Sequence, residues 1–510
     1  MEFSVIDYIV IVVYLLGVAF LGLRTSGKQT SNKDYFLGGE GMPWWAVLFS
    51  IVATETSTLT FISIPAVAYG GNLTFLQITV GYVIGRVGVA LFFLPKYYEG
   101  ELLTAYTFLE RRFGAGMRNA ASTTFMITRL LADGVRLFAT AIPLAIILRL
   151  GGAFTGMGDH QLYIIAIAVI TGITLIYTFF GGIKAVIWMD FVQMLVYIGG
   201  AFIAIFVLWN NLPQGFSLPV EKLKIIDTGF DMSFEEFIRQ PYTLITAIVG
   251  GAVFSLASHG TDHLLVQRVL ATGSLRSGQK AMIWSGILAM LQFGLFLGIG
   301  LLLFMFYEGV SAEALGLATT DEIFAKFIVE QLPVGISGLI VAALFAAAMS
   351  SLSSSLNSLA SSTTYDLYKP YFGKSNTDAE DLAISRKITL VWGIILSVSA
   401  IFFAFLQLQG GERPAIVELG LGIASYTYGG LLGAFLLGML FDKPDKRDAM
   451  IGFFTGLITL LFMVQGPIQN VLPGNGLAIA WPLYTLVGSL IVVLAGLISN
   501  RVRGKGNDRE

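Results

Sequence analysis

The 510-residue chain has no cysteine and only three histidines. The first absence excludes disulfide frameworks, thiolate zinc sites and cysteine nucleophiles, and leaves the redox compartment open. Charge is also scarce. Asp, Glu, Lys and Arg make up 13% of the residues, about half of the roughly 25% found in soluble proteins. The net charge is −2, so there is no global basic field to attract nucleic acid. Apolar residues are abundant instead: 55% of the chain is hydrophobic and the mean hydropathy is +0.77. A soluble fold of this size could not coat itself with so little charge. A cytosolic enzyme, a nucleic-acid binder and a disordered chain are excluded, which leaves a polytopic helical membrane protein. The partners to expect are the lipid bilayer and a small-molecule solute, with no nucleic acid and no obligate protein partner.

Thirteen apolar stretches reach spanning length: 5–24, 43–70, 74–96, 119–150, 161–180, 184–211, 242–259, 281–308, 334–364, 384–408, 414–441, 447–467 and 480–500. The first is expected to be a retained span rather than a removable signal, because Met1 to Asp7 carries two acids and no Lys or Arg, whereas a secretory signal starts basic. With the N-terminus outside, the outer segments hold six basic residues: Arg149, Lys222, Lys224, Arg239, Lys326 and Arg413. Arg86, Arg129 and Arg136 lie inside spans, and the other 22 of the 31 fall in inner loops or the C-terminal tail 501–510. That asymmetry supports an outside N-terminus and a cytoplasmic C-terminus under the positive-inside rule, in a plasma or inner membrane. The outer loops around 212–241 and 308–333 are rich in Asp and Glu and have room for short helices.

Ionisable groups at bilayer depth are costly, about 2.5–3.5 kcal/mol each on insertion scales, and mark function by default. Here they include Glu55, Arg86, Arg129, Asp133, Arg136, Asp190, Asp262 with His259 and His263, and Glu418. Arg129, Asp133 and Arg136 are spaced i, i+4, i+7 on one helical face. They form either a self-neutralising ladder or a binding element, with Arg136 the charge left over. Glu55 is then either a partner for Arg136 across the bundle or a direct ligand for solute or cation, and the second role is favoured.

Residues 53–60 read Ala-Thr-Glu-Thr-Ser-Thr-Leu-Thr, six of them polar within an otherwise apolar span, with Pro65 close behind. A continuous lipid-facing helix has no use for this composition. A locally unwound one does, because its freed carbonyls and hydroxyls line a midplane cavity. A second interruption is expected in the seventh span, at Gly250-Gly251 and then Ser258 to Asp262. Two interrupted spans five apart point to an inverted repeat, spans 2–6 (43–211) and 7–11 (242–441), with 447–500 as two extra helices. In the ninth span, Ala347, Ser350, Ser351, Ser354 and Ser358 share one stripe at i, i+3, i+4, i+7 and i+11. Such a stripe serves close helix packing, or supplies hard oxygen ligands to an alkali cation. Asp190 could add a formal negative charge.

Several short pieces, in order, resemble the sodium/solute symporter family: Asp34-Tyr35-Phe36-Leu37-Gly38-Gly39; Thr60-Phe61 through Pro65; Tyr177-Thr178 with Gly181 to Val186 and Trp188 to Gln193; Asp262 with Val266 to Ala271; and Ala347 to Ser358. The resemblance implies an all-α integral membrane fold of thirteen transmembrane helices. Its architecture is a leucine-transporter-type 5+5 inverted repeat with one extra N-terminal and two extra C-terminal helices. It also implies a main Na+ site from the carbonyls of Ala53 and Thr56 with Ala347, Ser350 and Ser351. A second Na+ would use Asp190, Ser350, Ser353 and Ser354. The solute region maps to Glu55, Ser57 and Thr60, with Phe75 and Thr79; Arg136, His259 and Asp262 join it as ionisable groups at membrane depth.

There are departures. Sialic acid transporters of the family hold the substrate carboxylate with an arginine in the fourth span; Ala132 or Asp133 aligns near that place, with Arg129 and Arg136 about a turn to either side. Proline symporters carry an aspartate that aligns with Glu55. Sugar transporters place Asn and Gln where this chain has Glu55, His259 and His263. No subfamily is singled out. The expected function is Na+-coupled import of a small polar solute, such as a sugar, sugar acid, amino acid or carboxylate, by alternating access. Proton coupling through Glu55 is the alternative, opposed by the complete Ala-Ser-Ser unit. A channel would need a repeated filter or ring of like charges. An intramembrane zinc enzyme would need a Glu that the His259/His263 pair lacks.

Overall fold

The computed structural model describes all residues except 1–3, 26–28, 40, 101, 151–155, 318, 374–376, 408–415, 464–478 and 508–510. Expectations at 408, 413–415, 464–467 and 508–510 fall outside the described residues, as do the side chains of Arg149 and Glu418. Among those described, the regular structure is helical throughout, as apolar segments require when lipid offers their backbone no hydrogen-bond partner.

The principal helices are α1 (Val5–Thr25), the short α2 (Asn32–Leu37), α3 (Trp44–Glu55), α4 (Thr58–Gly70), α5 (Leu76–Gly88), α6 (Ala115–Leu150), α7 (Asp159–Asn210), α8 (Leu244–Gly260), α9 (His263–Leu270), α10 (Leu275–Phe306), α11 (Ile336–Ser362), α12 (Asp378–Gln407), α13 (Ile416–Leu440), α14 (Lys446–Met463) and α15 (Tyr484–Asn507). Among the described residues, nine helices are long and apolar enough to cross a membrane, or ten when the bent pair α3–α4 is counted as one span. The loop 212–241 carries a 3-10 turn at Val220–Leu223 and a helix at Phe234–Arg239, and the loop 308–333 carries a helix at Glu322–Glu330.

α7 has 52 residues, about 78 Å at 1.5 Å per residue and far longer than a hydrocarbon core of roughly 30 Å. It covers both the fifth and sixth expected spans. They part at Gly182, whose φ of 55° and ψ of −159° break the helix. A Cβ at Gly182 would lie 2.4 Å from the carbonyl oxygen of Tyr35. Glycine there permits both the kink and the seating of α2. α2 itself is fixed by Ser31, whose Oγ accepts from the Asp34 N–H, and by Gly38 in the left-handed region.

Burial sorts the helices. α11 buries every residue except Ile336 and Leu339, so its serines face protein on all sides. α1 instead exposes Val12, Leu16 and Phe20 along its length, as α7 exposes Phe202 and Phe206 and α15 exposes Leu490 and Leu494. The bundle is apolar outside and hydroxyl-rich at its centre, the inverse of a soluble protein.

One expected interruption is corrected. α8 runs unbroken through Gly250 and Gly251. These glycines are contact points: a Cβ on Gly250 would stand 2.7 Å from Pro482, and one on Gly251 would stand 2.7 Å from the carbonyl of Ile78. Gly81 and Gly85 of α5 likewise meet the backbone of α8, so this is small-residue packing. The real break lies at Thr261–Asp262, between α8 and α9. Several limits also shift. α10 begins at Leu275, before the expected 281, α12 begins at Asp378, before the expected 384, and α15 continues to Asn507, beyond the expected 500.

Candidate functional site

The second span is broken where its polar octet lies. α3 ends at Glu55 and α4 begins at Thr58, and the two are bent by 64°. Thr56 closes α3: its N–H and its hydroxyl both bond to the carbonyl of Val52, at 3.0 and 2.8 Å. The last carbonyls of α3 and the first N–H groups of α4 have no partner within their own helices. The break therefore presents the negative end of one half-helix and the positive end of the other. The side chain of Gln292 on α10 steadies it, donating to Thr56 Oγ1 at 2.5 Å.

α11 supplies the other wall. Ser351 Oγ lies 3.3 Å from the Thr54 carbonyl and 3.4 Å from the Thr56 carbonyl. Ala53 and Ala347 are fully buried on the same two helices. The Ser350 hydroxyl points elsewhere, donating to Asp190 Oδ1 at 2.7 Å. Asp190, wholly buried on α7, also accepts from Ser50 at 2.5 Å, and Arg268 of α9 stands 3.6 Å away. Arg268 bonds to Ser50 at 3.1 Å and to Ser354. Ser354 is 3.0 Å from Thr54 Oγ1, and Ser353 donates to the Ser350 carbonyl at 3.0 Å. The residues expected around a second cation are thus together, and a guanidinium is among them.

Glu55 does not meet Arg136. It takes both bonds from Arg86 Nη2, at 2.6 and 2.5 Å, and lies 2.5 Å from His259 Nε2. Arg136 instead faces Asp133 at 3.4 Å. The ladder on α6 is real but incomplete: Arg129 is 3.5 Å from Asp133 and only 2.9 Å from Asp262, which also accepts from Tyr428 at 2.7 Å. Asp262 additionally caps α9 by accepting from the Leu264 N–H at 2.9 Å. His263 turns away from His259, toward Ser361 at 3.0 Å.

A cavity of about 100 Å³ opens beside the break. Glu55, Ser57, Thr60, Phe75, Arg136 and His259 line it, all expected solute residues. Thr79 and Asp262, also expected solute residues, are not on this wall: Thr79 is fully buried and donates to the Leu76 carbonyl at 2.7 Å, and Asp262 is held by Arg129 and Tyr428. Tyr428 and Phe254 line the cavity without having been expected there, and Arg129, left open between a structural and a binding role, lines it too. Arg86 had signalled itself only as a charge at membrane depth. Gln292, Ser50 and Arg268 gave no pattern that tied them to the break.

The sequence profile described as the Sodium:solute symporter family matches residues 35–456. The chain is 28% identical over 501 residues to a sodium/sialic acid symporter of Proteus mirabilis, covering 98% of this chain and 95% of that protein. It is 27% identical over 523 residues to a sodium/glucose cotransporter of Vibrio parahaemolyticus, covering 98% and 91%. A solved structure of a Na+-coupled sialic acid symporter, substrate-bound and outward-open, superimposes with a TM-score of 0.80 at 27% identity, covering 98% of each chain. A nucleobase-cation-symport-1 family transporter gives a TM-score of 0.55 at 13% identity, over 94% of this chain and 96% of that one, a likeness of fold alone.

Proposed function

The chain belongs to the sodium:solute symporter family, and from that premise we propose that it imports a small anionic solute, coupled to sodium, by alternating access. The carrying observation is the contact of Ser351 with the carbonyls of the broken span. Sodium there would be held by the Ala53 and Thr56 carbonyls with Ala347 and Ser351, joined by Ser350 once its hydroxyl leaves Asp190, and would tie α3 to α11. A second sodium at Asp190, Ser350, Ser353 and Ser354 would share Asp190 with Arg268.

An anionic solute fits the cavity's electrostatics. Arg86 is committed to Glu55 and Arg129 to Asp262, whereas the guanidinium of Arg136 has one ion-pair partner among the described residues, Asp133 at 3.4 Å. The N-terminal residues Leu59 and Thr60 of α4 face the same space, and a helix N-terminus favours negative charge. Phe75 and Phe254 give the solute apolar walls. A relative is named for sialic acid, which is consistent with a carboxylate at Arg136.

The thirteen-span, 5+5 inverted-repeat reading supports the cycle. Spans 43–211 and 242–441 are the halves, the N-terminus is outside and the C-terminus cytoplasmic, in a plasma or inner membrane. The two broken spans, at Thr56–Ser57 and Thr261–Asp262, occupy corresponding places in the halves, and one half rocks against the other around them. A tenfold sodium gradient supplies about 1.4 kcal/mol, and each charge crossing 100 mV adds about 2.3 kcal/mol. One sodium therefore sustains a solute gradient of roughly several hundredfold when the solute carries no net charge. A solute with one negative charge makes the one-sodium cycle electroneutral, so the potential term drops out and about tenfold remains, and a second sodium would restore it.

Uptake into proteoliposomes of labelled sugar acids, monocarboxylates, sugars and amino acids, with and without an inward sodium gradient, tests the reading. Sodium-driven accumulation confined to the acids supports it. Accumulation driven by a proton gradient without sodium, or accumulation of neutral sugars alone, contradicts it.

A further inference from the structure

Asp133 is, like Asp190, a carboxylate inside the bundle that no cation among the described residues holds closely. Charge-assisted N–H···O contacts settle near 2.7–2.9 Å. Asp133 Oδ1 stands 3.4 Å from Arg136 and 3.5 Å from Arg129, and the latter has its closer partner in Asp262. The firm bond of Asp133 is to a neutral group: Ser355 of α11 donates to Oδ2 at 2.6 Å. Ser355 lies one helical turn beyond Ser351.

A second cavity joins these groups. It is about 20 Å³, enough for one water-sized occupant. Its walls include Asp133, Arg136, Ser57, Thr140 and Ser351. Ser57 and Arg136 also line the larger solute cavity. Arg136 is therefore part of the wall between the two spaces, with the ion-site hydroxyl on one side and the solute residues on the other. With its side chain 19% exposed, it is the least confined of the three arginines around Asp133 and Glu55.

We propose that Asp133 and Arg136 form a charge latch between the ion site and the solute cavity. This rests on the reading that sodium binds at Ser351. A cation beside Ser351 is attracted by Asp133 and repelled by Arg136. As sodium takes over Asp133, Arg136 turns into the solute cavity, where it meets the negative group of the solute. The linkage is reciprocal: an anion that draws Arg136 away leaves Asp133 to the cation. Coupling then needs no long pathway, since a single guanidinium serves both spaces.

The test uses purified full-length protein in lipid nanodiscs and sodium alone as the probe. The thermal unfolding midpoint is followed against NaCl, with KCl replacing it at constant ionic strength. Arg136→Gln removes the repulsive partner and is expected to lower the half-saturating sodium concentration by about fivefold or more. Asp133→Asn is expected to raise it by about fivefold or more. Tightened sodium binding in Arg136→Gln is an outcome that a purely structural role would not produce, and it decides the matter even where Asp133→Asn folds poorly. Half-saturation within about twofold of wild type in Arg136→Gln, or a rise in it, overturns the latch alone. Absence of any sodium-specific shift in the wild type overturns the ion site, and the latch with it.

Discussion

The hydroxyl of Ser351 sits 3.4 Å from the carbonyl oxygen of Thr56, although 295 residues separate them in sequence. The contact exists because two unusual local structures face each other. One is a helix that stops at Glu55 and restarts at Thr58. The other is a serine-bearing helix buried on all sides. The break frees carbonyls that a continuous helix would consume, and the serine face brings hydroxyls instead of methyl groups. Together they make a set of hard oxygens suited to a small cation.

The Glu55–Arg86 pair spans two helices with Arg86 1% exposed. Glu55→Gln keeps one oxygen to accept from that guanidinium, beside Ser285, but removes the charge that neutralises it, and is expected to destabilise the fold by roughly 3 kcal/mol. Glu55→Gln combined with Arg86→Gln should recover part of the loss. Unfolding midpoints of the single and double variants measure both. Equal destabilisation by the single and the double variant would show that the pair is not the determinant.

Gly300 of α10 passes so close to α4 that an added Cβ would stand 2.1 Å from the Pro65 carbonyl. The obstacle is backbone and cannot rotate away. Gly300→Ala is expected to cost about 1–3 kcal/mol and to displace the second half of the broken span. Its signature is a lower unfolding midpoint together with weaker sodium activation of uptake. An unchanged midpoint would mean that the two helices separate freely.

The break itself was legible in the sequence, because six polar residues in an octet cannot face lipid. The serine stripe was legible from its helical spacing. The expected interruption at Gly250-Gly251 failed for an instructive reason: glycine pairs mark close helix contact as readily as unwinding, and only the partners, Pro482 and Ile78, tell the two apart. Ion pairing was the least legible. Arg136 looked like the free cation for Glu55 because it was left over on its own helix, yet Arg86 on α5 and His259 on α8 reach that carboxylate first. No periodicity in one helix encodes which charge of another it will face. For the same reason Arg268 beside Asp190 could not be read from either segment.

Arg136 lines the solute cavity, its guanidinium paired among the described residues with Asp133 at 3.4 Å. A hydrogen bond to a charged group contributes about 1.5–3 kcal/mol, so Arg136→Ala is expected to raise KM for an anionic solute by about tenfold to a hundredfold. Uptake kinetics in proteoliposomes measure this. An unchanged KM would place the solute's negative group elsewhere, and the N-terminus of α4 would be the next place to look.

The most direct measurement is the sodium activation curve of solute uptake for wild type and Ser351→Ala in the same proteoliposomes. Loss of even a supporting partner commonly weakens a metal site by about tenfold or more. The expected result is a half-activating sodium concentration at least about tenfold higher in Ser351→Ala, with the unfolding midpoint little changed. An activation curve that superimposes on wild type would show that no sodium bridges Thr56 and Ser351.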